Sequence, residues 1–131
     1  MLQFTEQVRS DLKFMDYVPV HFISALTKQR VNKIIPEALR VVEARRHRLS
    51  TSEVNQMIRA AYDKVTPPTR GGRALRLYFG TQVETEPPTF IIFVNKSEGI
   101  HFSYERYLMN CLRQAFGFIA CPIRLKFSDR K

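Results

Sequence analysis

The spacing of apolar residues predicts a long amphipathic helix in the second half of the chain, between Ser103 and Gly117. Serine often caps a helix N-terminus, and glycine often follows a helix C-terminus. Between them, apolar side chains recur at the i, i+3, i+4, i+7, i+8 and i+11 positions of one helix face. These residues are Tyr104, Tyr107, Leu108, Cys111, Leu112 and Ala115.

An earlier helix is predicted to begin at a capping box, Ser50–Glu53, because a serine and a glutamate three residues apart can satisfy each other's backbone N–H groups. The helix is expected to end before Pro67 and to bury one stripe of side chains. The stripe consists of Val54, Met57, Ile58, Ala61 and Val65.

Three strand-like runs predict a small sheet: Leu75–Val83 and Thr89–Asn95 before the long helix, and Pro122–Phe127 after it. The middle run is apolar on both sides, as expected of a central strand. The predicted order is therefore helix, strand, strand, helix, strand, with the helices on one face of a three-stranded sheet.

Alternation along the strands assigns their side chains to two faces. In the first strand, Leu75, Leu77, Phe79 and Val83 are predicted to lie on the covered face. The open face is predicted to be basic with interleaved aromatic and apolar residues. That set is Arg76, Tyr78, Gln82, Arg124 and Lys126 around Ile91 or Phe93.

The first third of the chain predicts a helix over Leu2–Tyr17, a short buried strand over Val18–Ile23 and a second helix over Asn32–Arg46. Asn32 is the expected N-cap, which would place Pro36 near the first turn, where its missing N–H does least harm. A single strand between two helices has no sheet in which to lie. Residues 1–46 are therefore expected to belong to a larger α/β unit.

Composition limits the functional class. The chain has 131 residues, 44% of them hydrophobic, which suits one domain or a small domain with an appendage. No run approaches the ~20 apolar residues of a membrane span, and Met1–Gln7 lacks a signal-peptide pattern. A cytoplasmic protein that contacts no membrane is expected.

No catalytic or metal-binding residue is predicted. His21, His47 and His101 show no paired spacing, and neither a nucleophile motif nor a zinc-binding pattern occurs. Cys111 and Cys121 have no CxxC partner and are interpreted as buried thiols.

Charge points to a polyanionic partner. The net charge is +9, and residues 40–76 alone contain nine basic and three acidic residues. Arginine dominates this segment, and its planar guanidinium can bind two phosphate oxygens. The alternative is a solvated helix end and linker. The residues predicted to bind RNA are Arg45, Arg46, Arg48, Arg70, Arg73, Arg76, Arg124 and Lys126.

Several segments resemble the C-terminal KH-like domain of the EngA (Der) family, bacterial GTPases with two tandem G domains. These are Thr81–Val83, Pro87–Phe90, Phe93–Asn95, His101–Leu108, Ala115–Phe118 and Pro122–Leu125, of which His101–Leu108 is highly specific. Upstream, Asp16–Leu26 and Gln29–Lys33 resemble the last helix, strand and helix of the family's second G domain. The resemblance covers nearly the whole chain. In place of the family's usual Gly-Thr pair before Pro122, this chain has Ala120 and Cys121, for which we expect a local packing change.

The resemblance implies an α+β chain in two parts. Residues 1–48 would be a helix–strand–helix remnant of a P-loop GTPase α/β domain, and residues 49–131 a KH-like αββαβ domain with a three-stranded sheet. The implied function is assembly of the large ribosomal subunit. The expected partners are ribosomal RNA, the large subunit and the G domains of the same polypeptide or complex, between which the KH-like domain would be packed.

GTP and magnesium are the cofactors of the intact family, and the resemblance assigns Ser24, Ala25 and Leu26 to a guanine-contacting loop. GTP hydrolysis also needs the motifs GxxxxGK[ST], Asp-x-x-Gly and Asn-Lys-x-Asp, and none occurs upstream of Ser24. The run Asn95–Glu98 is similar to the last of these but follows the loop, and is interpreted as a turn at a strand end. The isolated chain is expected to bind no cofactor and to be inactive.

Two functional classes remain open. A KH-like domain could bind ribosomal RNA through charge and shape; the GxxG loop of true KH domains is missing, which argues against sequence-specific recognition of single strands. Alternatively, the basic sheet face could dock on partner G domains without contacting RNA. No constellation of residues supports a small independent enzyme.

Overall fold

The computed structural model describes residues 2–67, 74–118 and 120–130. Within these residues the chain forms four α-helices and three strands. In chain order they are α1 (Leu2–Asp11), α2 (Ile34–Arg46), α3 (Thr51–Lys64), β1 (Leu77–Glu84), β2 (Thr89–Val94), α4 (Phe102–Phe116) and β3 (Arg124–Asp129).

The three strands form one sheet in the order β1–β2–β3. β1 pairs antiparallel with β2 through a short connection, and β2 pairs parallel with β3 because α4 carries the chain back across the sheet. The predicted αββαβ order and the central position of β2 are therefore confirmed. Phe90, Ile92 and Val94 of β2 are fully buried on the helix-covered face.

The core lies between this face and the helices α3 and α4. The predicted stripe of α3 is confirmed, except that Val65 is 43% exposed because it follows the last helical residue in an extended conformation. Tyr104, Leu108 and Leu112 of α4 are buried, whereas Tyr107 and Cys111 lie at the edge of the core and Ala115, also predicted for this stripe, is exposed. Cys121 is also buried in the core.

The predicted faces of β1 are partly wrong because the strand is irregular. A register shift between Leu77 and Phe79 inserts an extra residue, which turns the side chains of Phe79–Gln82 to the opposite face, and a second shift follows between Gln82 and Glu84. Phe79 and Val83 are consequently exposed, whereas Gly80 and Gln82 point into the covered face. A Cβ atom added to Gly80 would overlap Ile58 Cδ1 and lie 3.2 Å from the Ile91 carbonyl oxygen, so a larger residue here would require the Ile58 side chain to shift.

Two of the three caps predicted for α3 and α4 agree with the sequence. Ser50 and Glu53 form the predicted capping box, and Gly117 ends α4 with a positive φ of 68°. The N-cap of α4 is His101 rather than the predicted Ser103. His101 Nδ1 accepts a hydrogen bond from the Ser103 backbone N–H at 3.2 Å, so the imidazole performs the usual role of a serine or asparagine side chain.

Residues 2–46 differ from the prediction in three respects. α1 ends at Asp11, six residues early, and a 3₁₀ turn at Lys13–Met15 follows it. The run 18–23 is not a strand, because no strand of the described residues lies beside it to accept its backbone hydrogen bonds. α2 begins at Ile34 after a 3₁₀ turn, and Lys33, without a side-chain cap, replaces the predicted N-cap Asn32.

Neither α1 nor α2 contains a buried residue. The apolar face of α2 is open to solvent, with Ile35 70% and Leu39 60% exposed. This is the arrangement expected of helices that lack the sheet against which they would pack. That residues 1–46 belong to a larger α/β unit stays a prediction.

Candidate nucleic-acid interface

The first group of predicted RNA-binding arginines lies where α2 ends and the chain enters α3. Arg46 is exposed and its Nε atom donates to Glu86 Oε1 at 2.5 Å. Arg48 Nη1 donates to the Gln82 carbonyl oxygen at 3.3 Å, and the Arg45 carbonyl accepts from the Glu86 N–H. All three residues therefore contact the end of β1 or the loop after it. The charge of Arg46 is partly neutralised by Glu86.

Gln82 holds this junction to the sheet. Its side chain is buried, its Oε1 atom accepts from the Leu49 N–H at 2.6 Å, and its Nε2 atom donates to the His47 carbonyl oxygen at 3.0 Å. A third hydrogen bond goes to the Glu84 carbonyl oxygen. Sequence reasoning assigned Gln82 to the open face, whereas the structure makes it the polar connection between the junction and β1.

Arg76 does not join the junction arginines. It precedes β1, where Asn95 Oδ1 accepts from its backbone N–H, while Arg48 contacts Gln82 six residues further along. At about 3.3 Å per residue, the two positions are roughly 20 Å apart along the strand. Arg70 and Arg73 lie outside the described residues. The predicted arginine set is therefore distributed over both ends of β1.

The remaining two predicted residues, Arg124 and Lys126, are exposed on the open face of β3. Strand pairing places them in rows that cross the sheet. One row contains Glu84, Thr89 and Arg124, the next Thr81, Ile91 and Lys126, and the third Phe79, Phe93 and Ser128. The open face is thus basic along β3 and apolar towards β1.

Aromatic rings occupy the end of the open face near the start of β1. The rings of Phe79 and Phe93 are stacked, with centroids 4.5 Å apart and planes inclined by 22°. The Arg130 guanidinium lies over the Tyr78 ring, 4.7 Å from its centroid. Sequence reasoning missed Phe79, because the bulge reverses its face, and Arg130, because it follows the strand. Tyr78 and Phe93 were predicted for this face.

The loop Ser24–Leu26, assigned to guanine by resemblance, is an exposed turn. Ser24 closes it: its Oγ atom accepts from the Thr27 N–H at 3.2 Å, and its own N–H donates to the Gln29 carbonyl oxygen. Leu26 is 94% exposed. The Ala25 N–H is therefore part of a formed, exposed turn.

Arg113 of α4 joins the N-terminal segment to the KH-like fold. Its guanidinium lies 3.8 Å from the Tyr17 ring centroid, and Nη1 donates to the carbonyl oxygens of Phe118 and Cys121 at 3.0 and 2.8 Å. Burial lowers the pKa of Arg113, and its neighbours Tyr17, Cys121 and Asp16 oppose that shift. Burial raises the pKa of the Cys121 thiol, with Arg113 and Arg45 acting in the opposite direction.

Two tyrosines of α4 tie it to the end of α3. Tyr104 and Tyr107 donate their hydroxyl hydrogens to the carbonyl oxygens of Val65 and Ala61, each at 2.8 Å. Burial raises the pKa of Tyr104, and the neighbouring Tyr107, Tyr62 and Cys111 add to this shift. Burial and a hydrogen bond with Cys111 also raise the pKa of Tyr107. These groups are structural and lie on the covered side of the sheet.

Two classes of site are not found among the residues described. Within 2–67, 74–118 and 120–130, no group of three or more His, Cys, Asp or Glu side chains is placed to hold a metal ion. None of the helices formed by these residues is long and apolar enough to cross a membrane. Cys111 and Cys121 are free thiols, the first half-buried and the second buried.

Comparison with known proteins gives a consistent result. Residues 48–128 match a family model described as the KH-domain-like, C-terminal region of EngA bacterial GTPase enzymes. The chain is 46% identical over 130 residues to GTPase Der of Syntrophotalea carbinolica, covering 99% of this chain and 30% of that protein. It is 49% identical over 127 residues to GTPase Der of Moorella thermoacetica, covering 97% and 29% respectively.

The chain thus spans about 30% of the length of the curated relatives it matches. The family match covers the three strands together with α3 and α4, which form the buried core. The chain belongs to the EngA (Der) family of bacterial GTPases, and its residues 48–128 correspond to the family's C-terminal KH-like domain.

Proposed function

We propose that this chain is the C-terminal portion of a cytoplasmic GTP-binding protein that acts in assembly of the large ribosomal subunit. In this proposal, residues 1–48 are the end of a G domain. The KH-like domain that follows contacts ribosomal RNA and the G domains of the same protein. The observation that carries the RNA contact is the uneven positive charge: +9 overall, with exposed Arg46, Arg48, Arg124 and Lys126 on one compact fold.

Charge of this kind favours phosphate because each neutralised phosphate releases condensed counterions. Arg48 is partly anchored by the Gln82 carbonyl oxygen, which holds the guanidinium near the sheet end instead of leaving it mobile. Arg124 and Lys126 project from neighbouring rows of β3. The arrangement suits contacts with an RNA backbone over a broad surface and requires no GxxG loop.

The residues of this chain fit only one end of a GTP molecule. The Ser24–Leu26 turn presents backbone N–H groups that suit the guanine carbonyl, but the sequence has no GxxxxGK[ST] motif to hold phosphates. In the intact protein, GTP and magnesium would supply the chemistry of phosphoryl transfer. Isolated, this chain should bind GTP no better than background by calorimetry, and micromolar affinity would overturn that assignment.

The proposed function is tested by binding the chain to purified large and small ribosomal subunits over a series of salt concentrations. We expect preferential binding to large subunits that weakens as salt rises. For each tenfold rise in salt concentration, the logarithm of the affinity should fall by about 0.7 to 0.9 per phosphate contact. Arg48→Glu should weaken it, whereas Arg59→Glu, an exposed arginine on α3, serves as the matched control. Absence of binding at low salt would contradict the proposal.

A second candidate is favoured by the uncovered apolar surface. The exposed face of α2 and the Phe79–Phe93 pair are both surfaces that another protein domain could cover. In this candidate the KH-like domain docks on G domains without binding RNA directly. Its binding would resist salt, since apolar burial is not screened.

A further inference from the structure

The open face of the sheet contains two stacked phenylalanines that the fold itself does not need to bury. Both helices of the KH-like unit contact the opposite face, where the buried core lies. Phe79 is 42% exposed on the edge strand, and Phe93 beside it is half-buried. An exposed stack of this kind leaves ring surface on which a further flat aromatic group can be placed.

Positive side chains surround these rings. Lys126 lies in the row next to Phe79 and Phe93, about 7 Å along the strands, and Arg124 lies one row further. Arg130 lies over Tyr78 at the end of the face, and Arg76, also exposed, precedes β1.

The acidic residues near this face do not cancel its charge. Among the described residues, Glu84 occupies the row furthest from the phenylalanines. Asp129 belongs to the covered side, and its carboxylate accepts from the Ser97 N–H. The ring-bearing end of the open face therefore has Lys126 and Arg130 beside it, while the Asp129 carboxylate at the same end is hydrogen-bonded on the covered side.

We propose that the open face binds single-stranded RNA, with unpaired bases stacking on the Phe79–Phe93 pair and the RNA backbone contacting Lys126 and Arg124. This inference rests on the proposed RNA-binding function and assigns a site and a ligand form to it. Aromatic residues on a sheet surface stack bases in other single-strand-binding folds, and such stacking tolerates any base sequence. Base pairs inside a duplex are stacked on both sides and leave no free ring face for this contact.

Charge complementarity decides between RNA and protein as the occupant. A protein domain covering the two rings would also have to cover Lys126, Arg124 and Arg130, and so would need matching carboxylates. Phosphates of a nucleic acid meet all three cations without further requirement, while the bases occupy the rings. Because the contact uses ring faces and backbone charge, it also operates without the GxxG loop that this sequence lacks.

The test compares three ligands with the same 131-residue chain: a 12-nucleotide oligouridylate, an abasic 12-mer with the same phosphates, and a 12-base-pair RNA duplex. We expect the oligouridylate to bind roughly tenfold or more tightly than the abasic strand, because only the former can stack. Equal affinity for these two ligands would overturn the stacking site while leaving charge-based RNA binding intact.

The matched variants are the double substitution Phe79→Leu with Phe93→Leu, and the control Phe102→Leu. Leucine keeps the sites apolar but removes the ring faces, and Phe102 is a 66% exposed phenylalanine at the start of α4. The double variant should lose about tenfold in oligouridylate affinity and nothing for the abasic strand, and the control should bind as the parent does.

Other results separate the two levels of the proposal. If none of the three ligands binds even at low salt, the RNA-binding function itself fails. If the double variant binds all RNA ligands unchanged but loses affinity for an isolated G domain, the open face is a protein-docking surface and the RNA site is wrong.

Discussion

Residues 49–129 and residues 2–46 both contain helices with apolar residues at helical spacing, but only the helices of the first region bury them. The first region contains every buried hydrophobic residue of the described chain, beginning at Leu49. The second contains two helices without a buried residue, although α2 also carries apolar side chains at helical spacing, among them Ile35 and Leu39. Periodicity therefore specifies which face of a helix is apolar, whereas burial depends on whether a partner surface is present.

The largest expected effect separates matched leucines in the two regions. Leu108 is completely buried in α4, and Leu39 of α2 is 60% exposed. Leu108→Ala should lower the free energy of unfolding by about 2 to 5 kcal/mol through lost burial and a residual cavity. Leu39→Ala should change it by less than about 0.5 kcal/mol, since exposed sites contribute little. Urea unfolding of both variants makes the comparison, and similar losses would mean that α2 is packed.

Gln82 tests the boundary between the two regions. Gln82→Leu leaves the Leu49 N–H and the His47 carbonyl without their partner, which should cost about 1 to 3 kcal/mol for each group that stays dry. Gln114→Leu, at an exposed position on α4, is the control. Thermal unfolding should show a clearly lower midpoint for Gln82→Leu only. Equal midpoints for the two variants would mean that water replaces the lost hydrogen bonds at the junction.

Tyr104 gives the folded region an expected pH dependence. Because burial raises its pKa, the folded state favours the protonated phenol. Its stabilising contribution is complete below the unfolded tyrosine pKa of about 10 and is lost as the pH rises further. Tyr104→Phe should cost about 0.5 to 1.5 kcal/mol at pH 8 through the lost bond to Val65. Urea unfolding at pH 8 and pH 11 should show a smaller alkaline loss in this variant than in the parent, and equal losses would contradict the assignment.

The smallest expected effect is at the exposed ion pair between Arg46 and Glu86. Both side chains are solvated, 69% and 46% exposed, so the pair should contribute about 0 to 1 kcal/mol to stability. Glu86→Gln should therefore hardly move the unfolding midpoint. It should, however, strengthen binding to large subunits at low salt by releasing Arg46 for phosphate. Weaker binding would show that Glu86 positions the arginine.

Much of the KH-like unit could be predicted from its sequence because local signals agree with the global fold. The capping box at Ser50, the left-handed residue Gly117 and the apolar stripes of α3 and α4 each predict an element that the structure contains. The apolar middle run predicts the central strand β2. Here each local preference is satisfied by a partner within the same chain.

What could not be predicted depends on irregular backbone and on long-range pairing. The bulge between Leu77 and Phe79 reverses the faces of Phe79–Gln82, and alternation alone cannot reveal where an extra residue is inserted. This one feature moved Phe79 to the open face and Gln82 to the core side. The run 18–23 has strand composition, but without a pairing strand among the described residues it forms no strand and stays partly exposed.

The arginine cluster illustrates the same difficulty for the site. Sequence proximity grouped Arg45, Arg46, Arg48 and Arg76, but β1 separates Arg76 from the others by its own length. The basic surface that strand pairing does assemble contains Arg124 and Lys126 next to the aromatic rings. Which charged side chains lie side by side on a sheet depends on the register of strand pairing. The spacing of residues along one sequence does not give that register.

The contrast between the two regions is tested most directly by amide hydrogen exchange on the intact chain. We expect amides of α3, β2 and α4 to exchange only through global unfolding, and amides in the first two turns of α2 and throughout α1 to exchange at least about a hundredfold faster. Equal protection of α2 and α4 would contradict the account, because it would show that residues 2–46 are as firmly folded as the KH-like unit.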